Sequence, residues 1–173
     1  LERGIGRYWY PHVTDTVILA VDRSRTDAAV TGWNSLWDSP VPVGISSSSV
    51  IRNMLALGAL SYGLDREAPS KRDALELLEH LGQNGSFRLE APDAPILICL
   101  DCEAAAWNRN GGNYEIIVPA EGTLSCRMGL LSDVPLTLEP GLDETLLSAG
   151  LPLADGERPA DFPDDYRSAR TLS

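Results

Sequence analysis

The sequence predicts a single three-layer α/β/α domain built on a mostly parallel sheet. Two apolar runs, Thr16-Val17-Ile18-Leu19-Ala20-Val21 and Pro95-Ile96-Leu97-Ile98-Cys99-Leu100, are short and continuous, the pattern of strands covered on both faces. Two longer segments, residues 50–62 and 70–81, space their apolar residues as helices do. Strand, helix and strand then alternate over residues 95–118, which is the rhythm of βαβ units with helices on the sheet faces. At 173 residues and 43% hydrophobic content, the chain is long enough for one proper core.

The elements follow in order. The first apolar run ends in Asp22-Arg23-Ser24-Arg25, so a buried strand passes into a loop. Gly32-Trp33-Asn34-Ser35-Leu36-Trp37-Asp38 reads as one helical turn pinned by its aromatics. Val41-Pro42-Val43-Gly44-Ile45 suits a short strand, and the serines at 46–49 are candidate caps for the helix carrying Val50, Met54, Leu57, Ala59, Leu60 and Tyr62. Gly63 is the expected stop of that helix. Pro69-Ser70 opens a second helix through Ala74, Leu77, Leu78 and Leu81, ended by Gly82 and Gly85. After the strand at 95–100, residues 101–107 read as helical and Gly111-Gly112 breaks them. Tyr114-Glu115-Ile116-Ile117-Val118 is the next strand, and residues 123–131 form another strand or crossing segment. From 136 to 173 the chain is an irregular tail, rich in proline, glycine and acid, with short helices expected at 143–149 and 163–170. The whole chain, 1–173, therefore reads as one domain.

Charge narrows the partners. With 14 basic and 25 acidic residues the net charge is -11, which repels nucleic-acid phosphates and anionic lipid headgroups. No run approaches the roughly 18 apolar residues of a membrane span, and the opening Leu1-Glu2-Arg3-Gly4 has no signal-peptide pattern, as expected of a mature chain or an excised segment. Phosphate-cradling, nucleophile-elbow and zinc-helix motifs are absent, and no cofactor or metal is expected. His12 and His80 lack flanking ligands. Cys99-x-x-Cys102 has redox spacing, but Cys99 sits inside the apolar strand, where a buried inert thiol is the simpler reading. The carboxylates Asp155, Glu157, Asp161, Asp164 and Asp165 lie among prolines without the spacing of a calcium loop.

Four blocks in order carry a family resemblance. Residues 113–124, Asn-Tyr-Glu-Ile-Ile-Val-Pro-Ala-Glu-Gly-Thr-Leu, resemble the strand and Pro-x-Glu-Gly turn in the second lobe of spermidine/putrescine-type periplasmic binding proteins, the type II class that serves ABC transporters. Tyr8-Trp9-Tyr10-Pro11 through Val21 is similar to the strand entering that lobe. The Trp33 turn resembles its Thr-Ser-Trp-x-x-Leu-Trp turn, and residues 55–63 resemble the helix that closes on Leu-Gly-Tyr.

The resemblance implies an extracytoplasmic, non-enzymatic domain that binds a small solute in half of a cleft. Its implied partner is an ABC permease or a missing first lobe, which in that family closes by a hinge motion. It also implies where a solute would sit, at the strand ends and helix starts: Ser47, Ser48, Asp101, Cys102, Cys126 and Glu121. Glu121 has the alternative role of a turn carboxylate accepting backbone hydrogen bonds. Cys102 and Cys126 fall on neighbouring loops of the cleft side, which implies a candidate disulfide in an oxidising compartment. The residues that would grip a polyamine are replaced: Leu100 stands near the aromatic position, and Cys126 and Met128 stand where the family has tryptophan and aspartate. Polyamine specificity is therefore not expected. A sensory or accessory extracellular domain making protein contacts is the alternative, and a small enzyme built on a reactive Cys102 is the third reading.

Overall fold

A computed structural model describes residues 3–4, 7–46, 49–64, 70–88, 93–160, 162 and 171–172. In chain order these form β1 (Arg3–Gly4), β2 (Arg7–Asp22), a 3-10 turn (Trp33–Leu36), β3 (Val43–Ile45), α1 (Val50–Leu64), α2 (Lys71–Gln83) and β4 (Phe87–Arg88). Then come β5 (Ile96–Leu100), α3 (Asp101–Arg109), β6 (Tyr114–Ile117), β7 (Thr123–Ser132), α4 (Leu142–Ser148) and β8 (Thr171–Leu172). The expected helix at 163–170 lies outside the described residues.

The strands join in one sheet ordered β4-β3-β5-β2-β7-β8, with β1 and β6 also on β2. Among the described strands all but β2 share one direction. β3 is parallel to β4 and β5, β8 is parallel to β7, and β2 is antiparallel to β1, β5, β6 and β7. The α/β architecture expected from the apolar runs is thus present, with one central strand reversed. β6 pairs with the stretch Leu19–Asp22 of β2 and β7 with the stretch Tyr8–Thr16, so the two are successive pieces of one edge, interrupted by the Pro-Ala-Glu-Gly turn.

Both faces of β2 are covered where the apolar run lies. Val17, Leu19 and Val21 pack with Trp33, Leu36, Leu60, Leu77 and Leu81, the layer of α1, α2 and the 3-10 turn. Ile18 and Ala20 pack with Ala104, Ala105, Ile116 and Phe162 on the α3 side. The strand is longer than its apolar run, starting at Arg7. The added length is exposed to half-buried through Pro11 and His12, and its pairing with β7 satisfies the backbone without a covered face.

Two glycines behave differently from expectation. α1 runs through Gly63 to Leu64, and a Cβ on Gly63 would stand 2.1 Å from Trp33 Cδ1 and 2.8 Å from the Gly122 carbonyl oxygen. Gly63 is therefore required for close packing of the indole and does not stop the helix. Gly82 lies inside α2, and the left-handed residue that follows the helix is Gly85, at φ 70°.

These positions predict opposite responses to one added methyl. Gly63→Ala lowers unfolding free energy by about 1–3 kcal/mol through overpacking against Trp33. Gly82→Ala, with open space around its Cβ, raises it by roughly 0.5–1 kcal/mol. Urea unfolding of the two variants distinguishes the cases; equal effects would contradict this account of Gly63.

Candidate functional site

Strand direction brings one set of polar residues to one edge. β3 and β5 run parallel, with Ile45 beside Ile98, so both end at the same side, where α1 and α3 begin. The reversed β2 meets that edge at Val17, opposite Leu100, and continues outward through Thr16 and Asp15. On its other side β7 places Ser125 opposite Thr16 and Cys126 opposite Asp15. Asp15, Thr16, Asp101, Cys102, Ser125 and Cys126 thus collect where open α/β sheets receive ligands.

The local bonding is specific. Asp101 and Cys102 form the first turn of α3, and the Cys102 amide donates to Asp101 Oδ1 at 2.7 Å. Glu103 accepts from the Leu100 amide at 3.0 Å, the one half of a capping box that a leucine N-cap allows. Its carboxylate also pairs with Arg52 of α1, which ties the two helix starts together. The Thr16 and Ser125 hydroxyls are 2.8 Å apart. A shallow depression beside this edge is lined by Ser46, Arg52, Leu100 and Glu103 over apolar residues that include Val17 and Ile98.

Burial dominates the electrostatics. Asp15 is 2% exposed and Asp101 0% exposed, and Asp15, Asp101 and Cys102 present ligand atoms that all lie within 4.8 Å of one another. Burial pushes Asp101 up to about 7, with the Asp15 charge adding to the rise and the amides of Thr16 and Cys102 opposing it. Burial likewise raises Asp15, against a lowering influence from the Cys102 thiol. Cys102 is held well above the ordinary thiol value by burial and then by its acidic neighbours. This is the opposite of the shift that activates a nucleophilic thiol.

The residues expected at the site separate into three groups. Asp101, Cys102 and Cys126 come together with each other and with Asp15. Ser47 and Ser48 lie outside the described residues. Glu121 sits at the Trp33 turn, where Oε2 accepts from the Trp33 amide at 3.0 Å and Oε1 from the Asn34 amide at 2.9 Å. This is the backbone-capping role. Gly32 makes room for it, since a Cβ there would stand 1.8 Å from Glu121 Oε2. In the structure all three cysteines are free thiols, so the candidate Cys102–Cys126 disulfide is not formed there, and Cys102 Sγ lies with the two carboxylates. Asp15 escaped the sequence reading, although period-two alternation puts it on the same strand face as the buried Val17 and Leu19.

No protein-family model and no curated protein sequence matches the chain. Solved structures do. A periplasmic binding protein of Actinobacillus pleuropneumoniae, solved with exogenous fructose-6-phosphate bound, aligns at TM-score 0.64 and 16% identity, over 99% of this chain and 62% of that one. The sulfate-binding protein of Mycobacterium tuberculosis H37Rv aligns at 0.55 and 17%, over 94% and 63%. A Listeria monocytogenes protein named for spermidine/putrescine ABC transport aligns at 0.50 and 18%, over 72% and 42%. The chain thus has the fold of periplasmic solute-binding proteins and spans about three fifths of the length of the first two.

The raised Asp101 gives a pH dependence of definite sign. Its carboxyl keeps a proton in the fold between the ordinary value of 3.8 and about 7. The folded state binds more protons there, so Asp101's contribution is full below about pH 4 and is lost as pH rises through about 7. In chelator-containing buffer, Asp101→Asn is expected to exceed the parent in stability at pH 8 by up to about 4 kcal/mol, and to match it near pH 4. Denaturant midpoints at the two pH values measure this, and a pH-independent difference would refute it. Glu121→Ala is expected to cost about 1–2 kcal/mol at pH 7 by uncapping the Trp33 turn.

Proposed function

We propose that this chain is the solute-binding lobe of an extracytoplasmic binding protein that works with an ABC transporter and performs no catalysis. The observation that carries the reading is the relation between the polar edge and the β2–β7 ribbon. Beyond Asp15 and Cys126 the two strands run on as a pair, with Val13 of β2 still buried beside Leu153 and residues 127–131 of β7 exposed, among them Met128, Leu130 and Leu131. Exposed apolar side chains on a protruding ribbon suit a junction with further structure. A second lobe joined there would close over Asp101, Cys102 and Cys126, turning an open edge into a cleft that can enclose a ligand.

The fold relatives support this reading, since each is a binding or transport protein longer than this chain. Among the described residues no helix is long and apolar enough to cross a membrane. In this reading a permease partner couples it to the membrane. The solute is not expected to be a polyamine. Met128 is exposed on the ribbon and Cys126 lies beside Asp15, so neither supplies the aromatic face or ionised acceptor that a diamine needs.

A thermal-shift screen with sugars, sugar phosphates, amino acids, inorganic anions and polyamines tests the proposal. At least one non-polyamine solute is expected to raise the melting temperature in proportion to the logarithm of its concentration. The shift should disappear in Asp101→Asn. If no solute shifts the chain, the solute reading fails and a protein-contacting accessory domain takes its place.

A further inference from the structure

We infer that Asp15, Asp101 and Cys102 form a binding site for a borderline-soft divalent metal ion of the zinc type, held by two carboxylates and one thiolate. The sequence offered no such site, because its ligands come from β2 and from the start of α3, far apart in the chain. The reversed β2 brings them together, with their ligand atoms within 4.8 Å of one another. Zinc bonds to carboxylate oxygen and thiolate sulfur are about 2.0–2.3 Å long. A small closure of the side chains is enough to place all three around one ion.

A second observation points to a ligand independently of this clustering. Asp15 is 98% buried; the Cys102 thiol bears on its carboxylate as a hydrogen-bond donor, and the buried Oδ1 is left without a partner. A buried carboxylate oxygen left without a partner costs free energy, and such an atom in a folded protein calls for an ion, a water or a proton to account for it. Among the described residues Arg52 and Arg158 bear on the cluster, and the Arg52 guanidinium is engaged by Glu103. A divalent cation at the centre of the three ligands neutralises both carboxylates and stabilises the thiolate, whose proton is released on binding.

Ligand chemistry selects the metal class. Calcium takes six to eight oxygen ligands and magnesium holds mainly oxygen and water, so a compact site containing sulfur suits neither. A mixed thiolate and carboxylate set favours zinc or cobalt. Three protein ligands leave a fourth position for water or for a donor atom of a solute, on the side where Cys102 is half-buried. The three ligands all belong to this one lobe, so metal binding needs no second lobe; the site shares Asp101 and Cys102 with the proposed solute edge, and a titration with metal alone, without solute, reads it separately.

The test uses the untagged chain after removal of metal with a chelator. Titration with Co2+ is expected to give one equivalent bound and a near-ultraviolet thiolate-to-cobalt charge-transfer band. Zn2+ should abolish that band by competition and should raise the melting temperature. Asp15→Asn and Cys102→Ser should each weaken zinc binding by about tenfold or more, judged against the range reported for lost metal-site interactions. Cys102→Ser should also remove the band. Asp15→Asn, which removes a buried charge, should melt no lower than the metal-free parent, so its loss of binding cannot be ascribed to unfolding. Cys126→Ser should keep both band and affinity. Absence of the band in the parent, its survival in Cys102→Ser, or its loss in Cys126→Ser would each overturn the assignment.

Discussion

The reversed strand β2 is the constraint on which the rest of the molecule depends. Every other described strand runs in one direction, and β2 lies among them with partners along both edges. Its inner half is apolar on alternate faces, so it binds the helical layers together from within. Its outer half carries no such core. It is held by main-chain pairing with β7 and, on the other edge, by the tail: Thr14 donates to the Pro152 carbonyl and Ala154 to that of His12, each at 2.9 Å. One strand is thus a core element at one end and part of a protruding ribbon at the other. The polar cluster falls at the change between the two regimes. Residues at that point are buried by the last layer of packing yet lie next to open structure.

The Pro-x-Glu-Gly turn has a mechanical reason for its residues. It separates β6 from β7 along the same edge of β2, and the excursion carries Glu121 to the unsatisfied amides at the start of the Trp33 turn. Gly122 offers its carbonyl to the buried Trp33 indole at 2.8 Å, and Gly32 and Gly63 leave the space that the carboxylate and the ring occupy. Four short sequence features therefore make one joint, tying the sheet edge to the helical layer. This explains why the Trp33 turn, the end of α1 and the Pro-x-Glu-Gly turn stand together among the blocks that carried the family resemblance. They hold the shape of the domain.

At the polar edge, the same burial that stabilises the apolar residues opposes ionisation of Asp15 and Asp101. Two carboxylates and a thiol in one desolvated cluster are costly when charged. The fold tolerates them because the amides of Thr16 and Cys102 bear on Asp101, and because protons can be retained. A site of this kind favours cationic over anionic occupants. The overall charge of -11 gives no comparable selectivity, since charges spread over a surface are screened within about 8–10 Å.

By itself the sequence determined the local elements: strands where apolar runs are continuous, helices where apolar residues recur each turn, and breaks at Gly111-Gly112 and Gly85. Those signals are legible because they are set by neighbours within a few residues. The placing of Asp101 and Cys102 at a strand-to-helix junction was legible for the same reason; their burial was not. The tertiary structure alone decided that β2 is reversed, that its paired length exceeds its apolar run, that Asp15 joins Asp101 and Cys102, and that Glu121 caps a turn almost ninety residues before it in the chain. Each of these depends on which segments lie side by side in space. Chain direction and long-range pairing leave no periodicity in a single sequence, because the energy that fixes them comes from contacts between segments and not from any one segment's own pattern.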